Sequence, residues 1–413
     1  MSTSKMNTSK LSTSKLIHDN SWNTQVTITM IFGFLLRILM LLVILYVTND
    51  SWEIFYLEDD KKYEEMAQLY RAYSDSVWNV RLLKKMTNGY AATFWPLTMC
   101  LFTKLFDYVY TGRVLNVVLS TLCIGVTYKL CYEVSQNQKT ALLAAQLFAY
   151  MPFSILVCCF PIKDMFIMLG TMYAFFIFVR VQNGRPVTFW QYALLAGFLI
   201  GIFNSRGAVT ELLLIFFYVY WLQKTVQAKK YIAAMLMLIG AAALFIVFRN
   251  YLVASFGEKI ETYGNYGADE AAGLNIIRIT GFWDFYKLPI TYGFAMLQPM
   301  KLSLFTIGEK THPWQVVMSY ANITMYPIAV GAWAYMFCKK HNLFFWLSSF
   351  VMFAAIISLS LGVSRHYLFM LPIHIINYSL YMSENTKRRS SMILAGTIIL
   401  LVAVVTYASG KIE

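Results

Sequence analysis

The segment Leu57–Tyr70 reads LEDDKKYEEMAQLY and follows closely on the first long apolar run, Val26–Thr48. It places five acids within eight residues, in a chain of which only 13% is charged. A carboxylate cluster held at a membrane surface is either a solvated loop or a reaction site. The five acids are Glu58, Asp59, Asp60, Glu64 and Glu65.

The composition is too apolar for a soluble domain, because 58% of the 413 residues are hydrophobic and 17% are aromatic. The apolar residues occur in blocks of about 20 residues, the length that crosses a bilayer core. We therefore predict an all-α, polytopic membrane protein with about eleven transmembrane helices. The blocks are Val26–Thr48, Arg113–Cys131, Thr140–Cys159, Met165–Val179, Phe189–Phe203, Val209–Leu222, Tyr231–Phe248, Trp314–Phe337, Leu343–Gly362, Tyr367–Met382 and Ser391–Tyr407.

Basic residues indicate the orientation of these blocks. Residues 1–25 contain repeated Thr-Ser-Lys units and are predicted to form a disordered, basic cytoplasmic tail. If the blocks alternate from there, five basic loops fall on the cytoplasmic side, as the positive-inside rule requires. The net charge of +13 is explained by these loops, so no nucleic-acid partner is expected. Their residues are Lys129 and Lys139; Arg180 and Arg185; Lys224, Lys229 and Lys230; Lys339 and Lys340; and Lys387, Arg388 and Arg389.

The opposite face receives two long segments. The first outer loop, 49–112, contains the acidic stretch and an apolar piece, Ala91–Tyr110, interrupted by Pro96, Lys104 and Asp107. A crossing there would invert every later loop, so we predict an amphipathic helix in the outer interface. A true span balanced by another crossing is the alternative. Residues 251–313 are predicted to form an outer loop, either a lid or a partly re-entrant segment, before C-terminal transmembrane helices in 314–413.

Charged residues recur at the outer ends of the blocks. A carboxylate there can take a proton from an acceptor hydroxyl, while cations hold a phosphate leaving group. Each basic residue, taken alone, is better explained as a helix cap or a contact to lipid headgroups. The predicted catalytic residues are Asp59 and Asp60, and the predicted substrate-binding residues are Tyr63, Arg81, Lys163, Asp164, Arg206, Arg365 and His366.

Several of these residues stand in motifs that resemble family 39-like glycosyltransferases of the GT-C architecture, which include protein O-mannosyltransferases and aminoarabinose transferases. Asp59-Asp60-Lys61-Lys62-Tyr63 with Ala67 is similar to the family element D-E-x-x-Y-x-x-x-A. Three further matches follow in the family's order, and all four are assigned to the outer side. They are Gly112–Asn116 (A-R-L-L-N in the family), Tyr150–Pro152 with Pro161–Asp164 (P…S-x-x-x-x-K-D) and Asn204–Gly207 (L-T-R-P).

The resemblance implies a GT-C-like catalytic module over 26–250 and transfer of a sugar from a polyprenyl-phosphate-linked donor to a glycan, lipid or protein acceptor. Asp59 aligns with the family's catalytic base. Asp60 replaces the usual Glu, and Phe94-Trp95-Pro96 replaces the family's H-P-P. No metal or other cofactor is expected, because an Asp-Asp pair alone is a poor metal site. The expected location is the plasma (inner) membrane of a bacterium, with the active site on the outer face.

Two other functions compete with this interpretation. A polysaccharide polymerase or O-antigen ligase also has many spans and outer arginines, and 251–313 would be its large late loop. A transporter or flippase would show internal repeats and charges inside spans. The sequence has no internal repeat, and we expect its one mid-span charge, Arg37, to form a shielded ion pair. The absence of a large soluble domain after the last block is expected to exclude the oligosaccharyltransferase branch.

Overall fold

The computed structural model describes residues 7–48, 59–87, 94–247, 321–338, 371–384 and 389–399, apart from residues 245 and 322. Throughout these ranges the regular secondary structure is helical, in agreement with the predicted all-α class. The helices are α1 (Asn7–Thr48), α2 (Asp59–Tyr73), α3 (Val80–Thr87), α4 (Phe94–Phe106), α5 (Thr111–Ser135), α6 (Gln138–Tyr150), α7 (Pro152–Val157), α8 (Asp164–Gln182), α9 (Phe189–Gln227), α10 (Tyr231–Leu244), α11 (Tyr326–Cys338), α12 (Leu371–Glu384) and α13 (Arg389–Ile399).

Four segments of the described helices are long and apolar enough to cross a membrane, and they coincide with four predicted blocks. This supports an integral membrane protein. The total of about eleven spans stays a prediction, because the outer interval 251–313 and the predicted block Leu343–Gly362 lie outside the described residues, and the other three C-terminal blocks are described only in part. The four segments are Asn23–Tyr46, Thr111–Ser135, Asp164–Gln182 and Val209–Gln227.

Helix α1 extends beyond the first span towards the N-terminus. The composition of residues 1–25 predicts a disordered tail, whereas the backbone is helical from Asn7. Adding a residue to an existing helix is far easier than nucleating a new one. Residues 7–22 contain no glycine or proline that would end the helix.

Helix α9 is a hairpin of two helices. Arg206, at the predicted outer turn, has non-helical backbone angles (φ −159°, ψ 79°). Thr210 Oγ1 donates to Leu199 O at 3.3 Å. In a straight helix these residues would be roughly 16 Å apart, so the chain reverses direction at Arg206. Helix α8 packs against both arms, through Tyr173 on Phe198 and Phe178 on Phe217.

The predicted block Thr140–Cys159 is interrupted by Pro152. Helix α6 ends at Tyr150, Met151 is extended, and Pro152 is the first residue of α7. Proline lacks an N–H, so it cannot bond the carbonyl four residues earlier, which is that of Phe148. The interruption therefore leaves carbonyl groups at the end of α6 without helical partners.

The buried guanidinium of Arg37 binds these carbonyl groups. Its side chain is fully buried and donates five hydrogen bonds, so each of its five N–H groups has an acceptor. The expected ion pair was wrong: these acceptors are uncharged, and none of the described carboxylates forms an ion pair with Arg37. Two of the five acceptors, Phe148 O and Ala149 O, are carbonyl groups that the interruption at Pro152 leaves without helical partners. The acceptors are Ser120 Oγ (2.9 Å), Gly33 O (2.9 Å), Ala149 O (2.9 Å), Phe148 O (3.2 Å) and Ser154 Oγ (3.1 Å).

The first outer loop contains three helices, α2, α3 and α4. Helix α4 has 13 residues, which corresponds to roughly 20 Å and is too short for the ~30 Å core of a bilayer. This agrees with the prediction that Ala91–Tyr110 does not cross. Pro96 is tolerated because it lies in the first turn of α4, where the N–H has no helical partner. The location of α4 in the outer interface stays a prediction.

Charged pairs lie at opposite ends of the helix bundle. Arg113, near the start of α5, pairs with Glu64, whereas Glu133, near its end, lies 3.3 Å from Arg185 and 3.8 Å from Arg180. Arg113 and Glu133 are 20 residues apart on one helix, a rise of roughly 30 Å, which matches the bilayer core. Their separation follows the predicted division into outer and cytoplasmic loops.

Lys62 on α2 and Lys139 on α6 are both exposed and lie at opposite ends of the helix bundle. We therefore expect them to be accessible from opposite sides of the membrane. Single Lys62→Cys and Lys139→Cys variants should react with a membrane-impermeant thiol reagent from opposite sides of sealed vesicles, Lys139→Cys from the cytoplasmic side. Labelling of both from the same side would contradict the topology. The described native cysteines are buried, and the unsubstituted protein provides the background.

The Arg37 network predicts a specific loss and rescue of stability. Arg37→Met removes the donor to Ala149 O, and a buried carbonyl without a partner costs about 1–3 kcal/mol, whereas Phe148 O keeps a second donor, Ser154 Oγ at 2.8 Å. The variant should unfold at a lower temperature in detergent. Adding Pro152→Ala allows α6 to continue, so that Phe153 N–H can bond Ala149 O, and should recover part of that loss. An Arg37→Met protein as stable as the wild type would contradict this account.

Candidate functional site

Helix α2 carries the acidic stretch on a buried support. Tyr63, Ala67 and Tyr70 recur at the spacing of one helix face and are at most 3% exposed. They form a small core with Trp95 and other residues of α4. Tyr63, predicted to bind substrate, is therefore a packing residue between α2 and α4.

Asp59 and Asp60 are the first two residues of α2. The N-terminus of a helix favours negative charge, which explains why two acids stand at this position. The structure describes their backbone, whereas their side chains lie outside the described atoms. Their catalytic role stays a prediction.

A buried ion pair attaches α2 to the span bundle. Arg113 Nε donates to Glu64 Oε1 at 2.9 Å, and Nη2 donates to Oε2 at 3.0 Å. The Arg113 side chain is 0% exposed and that of Glu64 is 1% exposed. Two parallel bonds between planar groups fix both distance and direction. The pair joins the acidic stretch to the second motif, Gly112–Asn116.

The same segment of α5 holds the turn between α7 and α8. The backbone there is not helical, so side chains supply the donors that its carbonyl groups need. The four bonds come from α4 and α5 and end one residue before Lys163. The donors and acceptors are Arg113 Nη1 to Cys159 O (3.1 Å), Asn116 Nδ2 to Phe160 O (2.5 Å) and Ile162 O (2.8 Å), and Trp95 Nε1 to Pro161 O (2.9 Å).

Gly112 allows this close approach. A Cβ atom at residue 112 would lie 2.5 Å from Met99 Cε on α4 and 3.3 Å from Pro161 Cβ on the turn. Real Cβ atoms essentially never show contacts under 3.0 Å, so the flexible end of the Met99 side chain would have to move aside, and the added atom would still press on Pro161 of the turn. The glycine of the second motif is explained by packing.

Asp164 and Arg206 form a second ion pair at this end. Arg206 Nη1 lies 3.0 Å from Asp164 Oδ1, and the two side chains are 15% and 6% exposed. The atoms lack the alignment of a hydrogen bond, so the attraction is mainly that of the two charges. Asp164 begins α8 and Arg206 stands at the α9 interruption. The pair joins the third and fourth motifs.

The remaining predicted residues are dispersed. Lys163 immediately precedes α8 and is half-buried, beside the Asp164–Arg206 pair in sequence. Arg81 is exposed on α3, which packs against α2 and α4 through Leu83. Arg365 and His366 lie outside the described residues. The structure thus brings Asp164 and Arg206 together and does not test the contribution of Arg365 or His366.

Sequence reasoning assigned no role to Glu64, Arg113, Asn116 or Trp95. A signal was present for the first three. Glu64 follows Tyr63 and shares a helix edge with Ala67, while Arg113 and Asn116 are three residues apart at the start of an apolar block. A charged residue and an amide on one face of a membrane helix require polar partners, but the sequence does not say which.

Solvent accessibility decides which side chains at this end of the bundle can react or bind a ligand. Glu64 and Arg113 neutralise each other and are closed to solvent, so neither can reach a ligand. Burial raises the pKa of the Cys100 thiol to about 12, so this cysteine on α4 is no nucleophile at neutral pH. Among the described residues, no three His, Cys, Asp or Glu side chains group as metal ligands do.

No family model matches the chain, and no curated protein matches it. Among solved structures it is similar to the archaeal oligosaccharyltransferase AglB from Archaeoglobus fulgidus, determined with an inhibitory peptide and a dolichol-phosphate, at 15% identity and a TM-score of 0.47. The match covers 95% of this chain and 55% of that one, so the chain spans about half the length of that protein.

A likeness of this size indicates neither reaction nor substrate. It also does not decide between the oligosaccharyltransferase branch and the family 39-like branch. The family 39-like resemblance therefore rests on the sequence motifs alone.

The Asp164–Arg206 pair predicts a non-additive loss of stability. Arg206→Gln removes the cation that faces the buried Asp164 carboxylate, and breaking a buried pair costs about 3–5 kcal/mol. Asp164→Asn combined with Arg206→Gln should be more stable than Arg206→Gln alone, because the negative charge that Arg206 balanced is then removed as well. Unfolding in detergent measures all three variants. Additive losses would show that the two side chains do not interact.

Proposed function

We propose that the protein is a membrane glycosyltransferase that moves a sugar from a polyprenyl-phosphate-linked donor to an acceptor glycan, lipid or protein on the outer face. Asp59 is the general base. The observation that carries the proposal is that all four motifs of the sequence resemblance meet at one end of the bundle through buried contacts.

These contacts form an unbroken series. Glu64 links the acidic motif to Arg113 of the second motif, and Arg113 holds Cys159 O next to the third. Asp164 of the third motif pairs with Arg206 of the fourth. Motifs separated by up to about 150 residues in sequence thus belong to one polar region, as the parts of a single reaction site must.

The proposed reaction needs one proton acceptor and a stabilised leaving group. The acceptor hydroxyl oxygen attacks the anomeric carbon of the donor sugar, and its proton passes to the Asp59 carboxylate. The bond from that carbon to the phosphate oxygen breaks, and polyprenyl phosphate leaves with the bonding electrons. Attack opposite to the leaving group inverts the anomeric configuration. No group need protonate the phosphate.

Asp59 rather than Asp60 is assigned as the base. Adjacent residues of a helix point in directions about 100° apart, so one of the two is better placed to reach the acceptor. The register with Tyr63 and Ala67, four and eight residues later, selects Asp59. Asp60 then contributes to positioning.

Lys163, Arg206 and Arg365 are proposed to hold the donor phosphate. Charge-assisted bonds of this kind contribute about 1.5–3 kcal/mol each when shielded from water. Arg206 directs Nη1 towards Asp164, and its side chain is 15% exposed, so it is not closed to solvent as Arg113 is. Its substitution affects both donor binding and stability, whereas substitution of Lys163 should affect donor binding with less unfolding.

One observation bears on the transporter alternative. A charge inside a span is the feature that favours transport, and Arg37 is that charge. Its five hydrogen bonds leave it no donor for a moving ion or solute. The polymerase or ligase alternative uses pyrophosphate-linked glycans as donors, so the donor itself distinguishes it.

The test is sugar transfer by protein in liposomes, with radiolabelled hexose or pentose on C55-polyprenyl monophosphate and, separately, an oligosaccharide on C55-polyprenyl pyrophosphate. General-base catalysis is worth roughly 10²–10⁴-fold, so Asp59→Asn should lose that much turnover with the monophosphate donor while donor binding is retained. Asp60→Asn should lose less.

Asp75→Asn is the matched control, because Asp75 is an exposed acid in the turn between α2 and α3. Its turnover should equal that of the wild type. Full activity in both Asp59→Asn and Asp60→Asn would make the acidic stretch a solvated loop. Transfer from the pyrophosphate donor alone would favour the polymerase or ligase.

A further inference from the structure

We infer that Glu64 and Arg113 are positioning residues, which fix the first turn of α2 relative to the cations at the start of α8. This inference rests on the proposed function, because it assigns the first turn of α2 to the base and the start of α8 to the phosphate. Neither residue touches a ligand.

Burial excludes a direct chemical role. Both side chains are closed to solvent, and all four atoms of their two hydrogen bonds are within 3.0 Å of a partner. A buried ion pair is often no more stabilising than an apolar pair of the same volume. Its distinctive property is geometric, since two parallel bonds between planar groups permit one separation and one orientation.

Arg113 connects two parts of the proposed site through one guanidinium. Nε and Nη2 hold α2, while Nη1 holds Cys159 O at 3.1 Å. Asp59 lies five residues before Glu64, a rise of roughly 7.5 Å along α2, and Lys163 lies four residues after Cys159. A movement of the guanidinium therefore changes the separation of the base from the cation.

The opposite end of the molecule offers a matched control. Glu133 is also a buried acid on α5 with arginine partners, Arg180 and Arg185. It is about 30 Å from Arg113 along the same helix. Glu133 is not connected to α2. Removal of its charge therefore measures how much a buried ion pair contributes to stability alone.

The experiment compares Glu64→Gln, Glu64→Asp and Arg113→Lys with Glu133→Gln. The first readout needs no substrate: spin labels at the exposed positions Gln68 on α2 and Leu122 on α5 report the distance between the helices by pulsed electron paramagnetic resonance. We expect a shifted or broadened distance in the three Glu64 and Arg113 variants and an unchanged distance in Glu133→Gln.

The second readout is transfer from C55-polyprenyl-phosphate hexose, normalised to folded protein. A misplacement of about 1 Å can lower a rate by roughly 10²-fold. We expect kcat to fall 10–100-fold in the three variants with little change in KM for the donor. Glu133→Gln should lose stability with normal kcat. A role in stability alone would leave kcat per folded molecule unchanged in every variant.

The outcomes separate the inference from the proposed function. A distance change without a loss of kcat, or a loss of kcat without a distance change, overturns positioning. If wild-type protein transfers no sugar from any donor, the proposed function fails. In that case the distance between the two spin labels is the test of the inference. A shifted distance in the Glu64 and Arg113 variants supports the fixed attachment of α2, and an unchanged distance overturns it.

Discussion

Backbone carbonyl groups that no helix can satisfy are bound by buried side chains throughout residues 148–162. A bilayer core offers no water to bind them, so each interruption of a membrane helix needs an internal donor. Arg37 serves the end of α6, next to Pro152, and Arg113, Asn116 and Trp95 serve the turn before α8. This requirement explains two fully buried arginines in a chain of apolar helices, and it fixes where α1, α4 and α5 meet.

The arrangement has a consequence for the proposed site. The acids of α2 and the cations of α8 and α9 belong to elements that do not follow one another in the chain. They are held together by one guanidinium and one amide, on adjacent turns of α5. The contacts are directional and closed to water, and therefore keep a defined geometry while the exposed residues around them remain open to a ligand. Catalysis by positioning requires a rigid support that holds charged side chains within reach of the substrate.

Particular residues show where sequence reasoning succeeded. The predicted blocks around residues 113–131 and 165–179 are spans by length and composition, and the turn predicted at Asn204–Arg206 is a reversal of the chain. Such features follow from local hydropathy. Reasoning failed where a partner is distant in sequence. Arg37 was expected to pair with an acid, but its acceptors are Ser120, Ser154 and the carbonyl groups at a proline interruption. Tyr63 lies in the core between α2 and α4, and its predicted contact with substrate stays a prediction.

The sequence by itself determined the helical membrane class and the order of four short motifs, because each depends on residues close together in the chain. Only the tertiary structure decided that Glu64 pairs with Arg113, that Asn116 holds the turn before α8, and that Asp164 pairs with Arg206. These pairings join residues about 40–50 positions apart. The physical reason is that a buried polar group must find a partner, but its identity depends on which helices pack side by side.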